Sequence, residues 1–188
     1  MPNIHRNKPL RTVGLAKKAN YRDNKVDLRA DFNSRCGYCD DDDKFMGGKR
    51  GYQIDHFAPK IKFSKLEREY TNLVYCCPFC NRSKSDYWPS ASEDVNVVND
   101  EGFVDPCDIQ YDQHICRNNN GRIVARSLLG KYIHKTLKLH LLRHELIWKH
   151  GEIKNLIVEL KKISAPSALI VQFYTAADEI MDSIIEAQ

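Results

Sequence analysis

Apolar and polar positions along the chain fall into distinct regimes. Pro2, Pro9 and Gly14 interrupt any period in residues 1–20, which read as an extended arm. Val26, Leu28 and Phe32 then mix with charged residues at a spacing that predicts a short amphipathic helix within 21–32. Residues 52–55 and the apolar, β-favouring run 72–77 predict two short strands. Pro78 stands where a helix can begin, because its missing N–H is not needed in a first turn. Residues 87–112 show no period, and Asn118 to Gly121 between two β-like runs predicts a hairpin. From Lys131 onward the pattern is helical: Leu142, Leu146, Ile153, Leu156, Ile157 and Leu160 recur at three and four. After Pro166, a last stripe of Leu169, Phe173, Ala176, Ile180 and Ile184 predicts an antiparallel helical pair.

This pattern divides the chain into a basic arm and helix (1–34), a strand, loop, strand and helix core (35–90), an irregular segment with a hairpin (91–130) and a C-terminal helical hairpin (131–188). At 188 residues these segments are expected to form one unit of the α+β class. The apolar share of 42% and charged share of 29% exclude wholesale disorder. With no apolar run of membrane length and no signal-like N-terminus, the expected compartment is the cytoplasm, with no membrane partner. There the seven cysteines would stay reduced, and metal binding replaces a disulfide framework as the first expectation.

Net charge is only +4, but residues 1–35 carry nine Lys and Arg against three Asp, 9 − 3 = +6. That concentration fits a phosphate-backbone contact or a solvated helix face equally well. The acidic run Asp40 to Asp43 reads as a solvated loop.

Cys36-x-x-Cys39 and Cys77-x-x-Cys80 are two knuckles, each able to bring both thiolates to one cation from a tight turn. Together they predict a closed four-sulfur zinc site that holds structure and takes no part in chemistry. Between them, the adjacent Asp55 and His56 lie at a strand end, where one side chain can hold a metal while the other faces a substrate. Asn81, directly after Cys80, is placed to add an amide oxygen of the kind that Mg²⁺ accepts. Cys107, His114 and Cys116 read as packing residues, and His140 and His144 share a helix face without an accompanying ligand pattern.

The order Cys36-x-x-Cys39, Asp55-His56, Asn72-Leu73, Cys77-x-x-Cys80-Asn81 and Lys84 resembles the HNH endonuclease family, whose core is two strands and a helix around one divalent cation. The resemblance implies His56 as general base, Asp55 and Asn81 as ligands of a catalytic Mg²⁺ or Mn²⁺, and Asn72 as a brace for the loop between the strands. Arg82 and Lys84 would clamp phosphates of a DNA substrate. The runs at 54–60, 70–86 and 103–108 and the hairpin ending at Ser127 look further like the compact HNH proteins of Septu-type and retron-associated anti-phage systems. That likeness implies an ABC-like ATPase partner docked through the C-terminal helices. A stand-alone restriction-like nuclease and a catalytically silent zinc module that only binds nucleic acid are the alternatives. Retention of Asp55, His56 and Asn81 together argues against the silent one, because folding around zinc needs none of them.

Overall fold

A computed structural model describes residues 2–187, and its architecture is mixed α+β. The centre is an antiparallel pair, β1 (Gln53–His56) and β2 (Leu73–Cys76), with Gln53 opposite Cys76 and His56 opposite Leu73. The helix α2 (Pro78–Lys84) follows β2 directly, with Pro78 in its first turn and Cys77 Sγ accepting from Cys80 N. The helix α1 (Lys25–Asp31) packs Leu28 and, just beyond it, Phe32 against Leu73, Val74 and Tyr75 of β2. β2 is buried along its whole length, which is why its sequence is a continuous apolar run and not an alternating one.

The 36–39 turn docks on β2 through Gly37, whose N–H donates to Tyr75 O at 2.9 Å. A Cβ at Gly37 would come within 2.7 Å of the Phe32 ring, so only glycine allows this approach. Distant segments tie down the other carbonyls of the turn. His5 Nε2 donates to Gly37 O, Tyr111 Oη to Tyr38 O, and Arg117 Nη2 to Cys39 O.

Two short hairpins flank the centre. The segment expected to be irregular contains β3 (Val97–Val98) and β4 (Glu101–Gly102), joined by Asn99 and Asp100 at φ 51° and 61°. Asn and Asp tolerate that left-handed geometry, and they form the primed two-residue turn that suits a hairpin. A helical turn α3 (Tyr111–His114) takes up the start of the second expected hairpin, which then forms from β5 (Ile115–Arg117) and β6 (Ile123–Ala125).

The helical part begins earlier than its period suggested. Ser127 caps α4 (Leu128–Thr136) by accepting from Gly130 N, and α4 ends before α5 (Leu142–Lys162). After the Pro166 turn, α6 (Ser167–Glu186) packs back on α5 around Ile147, Ile184 and Phe45. No helix among the described residues is long and apolar enough to cross a membrane.

The acidic run departs most from expectation. Asp40, Asp41 and Asp43 are buried, because each meets a cation. Arg35 pairs with Asp40, Arg29 with Asp43, and Arg143 Nη1 reaches Asp41 Oδ2 at 2.6 Å while His144 Nδ1 lies 2.9 Å from the same oxygen. Arg143 also lies over the Phe79 ring at 4.3 Å, so α5 is fastened to both knuckle segments at once. Removing one member of a buried pair leaves a charge without a partner. Arg143→Ala is therefore expected to destabilise the fold by about 3–5 kcal/mol, read as a shift in the urea unfolding midpoint. Lys162→Ala, which loses only an exposed pair with Glu159, should shift it little.

Candidate active site

Folding carries the two knuckles together. One sulfur from each of Cys36, Cys39, Cys77 and Cys80 lies within 4.8 Å of the other three, and all four residues are buried. The Cys39 and Cys77 sulfurs are 3.8 Å apart. That is the edge of a tetrahedron with metal–sulfur bonds of about 2.3 Å, so the cluster fits a structural zinc. Burial pushes the Cys36 and Cys39 thiols up, whereas hydrogen bonds from Cys36, Cys39 and Cys80 pull Cys77 well down. Four thiolates at this spacing would need a cation to coexist. Cys76 stands apart from the quartet, its sulfur 3.9 Å from Gln53 O.

A second cluster, Cys39, Asp41 and His144, shares a sulfur with the first. His144 Nε2 is buried with no hydrogen-bond partner among the described residues. The sequence gives no sign of this arrangement, because His144 lies more than a hundred positions from Cys39 and Asp41. Cys107, His114 and Cys116 form no metal-ligating group among the described residues, and His114 instead bonds Ser127.

The strand end places Asp55 and His56 on opposite faces of β1. Asp55 faces α2: its Oδ2 accepts from Tyr38 Oη at 2.6 Å and pairs with Lys84 Nζ at 3.0 Å. Burial raises the Asp55 carboxyl above its usual range against the pull of both partners. Lys84 Nζ also donates to His56 O, and the side chain is 0% exposed. The expectation that Lys84 clamps a phosphate therefore fails in this geometry, because its ammonium is consumed in joining α2 to the end of β1. Arg82 is exposed, packs over Phe79 and donates to Pro78 O.

His56 is 7% exposed, with its ring edge-on to Tyr21 at a centroid distance of 4.6 Å. Nε2 lies 2.9 Å from Glu67 O, and because a carbonyl only accepts, Nε2 carries the hydrogen. The neutral ring thus keeps its lone pair on Nδ1. Burial lowers the His56 pKa from 6.5, partly offset by the Glu67 carbonyl, so the neutral form prevails near pH 7. Asn72 spans the loop between the strands: Oδ1 accepts from Ala58 N, and Nδ2 donates to Ala58 O and Leu66 O.

Asn81 follows Cys80 on the face of α2 turned to β1, where Nδ2 donates to Gln53 Oε1 at 2.6 Å. With Asp55 Oδ2 held by Tyr38 and Lys84, and Asn81 Nδ2 by Gln53, the Oδ1 atoms of both residues are the oxygens a hard cation would use. This donor set fits the Mg²⁺ and Mn²⁺ class.

Residues 36–87 match the family model for HNH endonuclease, and the chain thus carries an HNH endonuclease domain over that segment. The chain is also similar to the Septu protein PtuB of Bacillus mycoides (strain KBAB4), at 27% identity over 168 residues, covering 76% of this chain and 55% of the relative. It spans about half the length of the curated relative it matches. No solved structure matches the chain.

Metal analysis of the purified protein should return about one zinc per chain. Cys77→Ser should lose that zinc and melt at lower temperature, while Cys76→Ser should keep it. Equal zinc loss in both variants would contradict the assignment of the quartet.

Proposed function

We propose that the chain is a metal-dependent HNH endonuclease that hydrolyses DNA phosphodiester bonds, with His56 as its general base. The observation that carries this reading is the Nε2–H bond from His56 to Glu67 O, which leaves Nδ1 as the proton acceptor at the strand end. Nδ1 takes a proton from water as the water attacks phosphorus, and the imidazolium so formed is stabilised by the neighbouring Asp55. Asp55 and Asn81 would hold the divalent cation, which when bound neutralises the phosphate and the leaving oxygen as a Lewis acid. Lys84 and Tyr38 fix Asp55 in place, Gln53 fixes Asn81, and Asn72 fixes the loop that carries the Glu67 carbonyl.

The similarity to the Septu protein PtuB supports a role as effector nuclease in anti-phage defence, and we infer an ATPase partner from the Septu-like resemblance of the sequence. The α5–α6 hairpin is the surface we assign to that partner. Its end near the Pro166 turn exposes Leu156, Val158, Ile163, Leu169 and Val171.

His56→Ala is expected to reduce Mg²⁺- or Mn²⁺-dependent plasmid cleavage by about 10²–10⁴-fold while zinc content stays at the wild-type level. Undiminished cutting by that variant would refute the mechanism. The pH profile supplies a second check. Only neutral His56 accepts a proton, and burial puts its pKa below 6.5. Cleavage should therefore fall as pH drops through the region below 6.5 and be level above about pH 7. An acid limb centred well above neutrality would point to a different base.

A further inference from the structure

The basic arm is largely self-neutralised. Of the nine cations in residues 1–35, seven pair with the protein's own carboxylates: Arg6 with Glu152, Lys8 with Asp112, Arg11 with Asp105, Lys17 with Glu69, Lys18 with Asp27, Arg29 with Asp43, and Arg35 with Asp40 and Asp42. The two that form no salt bridge among the described residues, Arg22 and Lys25, lie one helical turn apart and line the same open cleft of about 480 Å³. Arg50, on the turn that leads into β1, lines it from another side and likewise forms no salt bridge among the described residues.

This cleft adjoins the catalytic region. Asn81 and Gln53 line it, as does Tyr21, whose ring packs against His56. No carboxylate is among its lining residues. Desolvation and the neighbouring Lys49 lower the pKa of Lys25, the direction expected of crowded cations that lack an anion. A cleft with three unpaired cations and no acid, beside the residues assigned to the cation and the base, has the chemistry that recognises phosphodiesters.

We propose that Arg22, Lys25 and Arg50 form a phosphate clamp that seats the DNA backbone in the cleft beside Asn81, filling the role that buried Lys84 does not fill. The proposal rests on the endonuclease reading above. Contacts to phosphate set position and affinity without reading sequence, so the clamp should act equally on unrelated duplexes.

The test uses the full chain in a His56→Ala background, with binding to a fluorescent DNA duplex followed over a salt series. Arg22→Gln/Lys25→Gln/Arg50→Gln is compared with Lys131→Gln/Lys154→Gln/Lys162→Gln, which removes the same charge from exposed positions elsewhere. The cleft triple should weaken binding about tenfold or more at low salt. It should also reduce the slope of log affinity against log salt by roughly two to three, at about 0.9 for each phosphate no longer neutralised. The control triple should change neither by a comparable amount. Should the cleft triple fail to fold, Arg22→Glu at an exposed position is expected to weaken binding in the same way. A wild-type slope in the cleft variants, or an equal loss in the control, overturns the clamp, and cleavage by the chain with His56 intact would then leave the endonuclease reading standing. A chain with His56 intact that neither binds nor cuts DNA overturns that reading and the clamp with it. Tighter binding of an RNA of the same length overturns DNA as the occupant.

Discussion

Four cysteine sulfurs meeting in one buried cluster is the constraint on which the other positions depend. One pair sits in a turn after α1 and the other at the start of α2, so joining them fixes where the helix begins relative to the strands. Asn81 is the next residue after the last cysteine of the quartet and cannot drift from β1 while the cluster holds. The Gly37 bond to Tyr75 O makes the same connection from the other side, so the turn, β2 and α2 are positioned as one piece. A segment this short has little apolar surface of its own with which to order a strand pair and a helix, and a cation held by the four sulfurs would add to the hold of the surrounding core.

Around that cluster, charge is used in two opposite ways. Inside, Asp41, Asp55, Lys84 and Arg143 are buried in pairs whose value is geometric: each joins an element to a neighbour at a defined angle, and removing one partner would leave the other stranded. Outside, the arm's cations meet carboxylates from several distant segments. The exposed ones among them, such as Lys17–Glu69, contribute about 0–1 kcal/mol each. Their larger effect is on the field, because they cancel most of the arm's charge and leave Arg22 and Lys25, in the cleft beside Asn81, without a salt bridge among the described residues.

The cysteine quartet was legible because its signal is local: two residues between cysteines, twice. The strand pair and α2 were legible for the same reason, with β-favouring runs and Pro78 marking the boundaries. Lys84 was half legible. Lys84 and Asn81 are three apart and share a helix face, so a helix that turns Asn81 to β1 turns Lys84 there too. The Asp40 to Asp43 run was misread because charge alone looks solvated, and its partners Arg29, Arg35 and Arg143 are visible only in three dimensions. The self-neutralisation of the arm was hidden likewise, since Arg6 and Glu152 lie 146 positions apart along the chain. The Asn99–Asp100 turn was a missed local signal, overlooked in a stretch of scattered polar residues.

The knuckle turn has a consequence for transplantation. Its three carbonyls, at Gly37, Tyr38 and Cys39, are satisfied by His5, Tyr111 and Arg117, none of which lies within the recognised segment 36–87. A graft of that segment into another scaffold would carry all four cysteines of the quartet but would strand three acceptors in the interior, at about 1–3 kcal/mol each. The unit that evolution can shuffle as a sequence is therefore smaller than the unit that can stand as a structure.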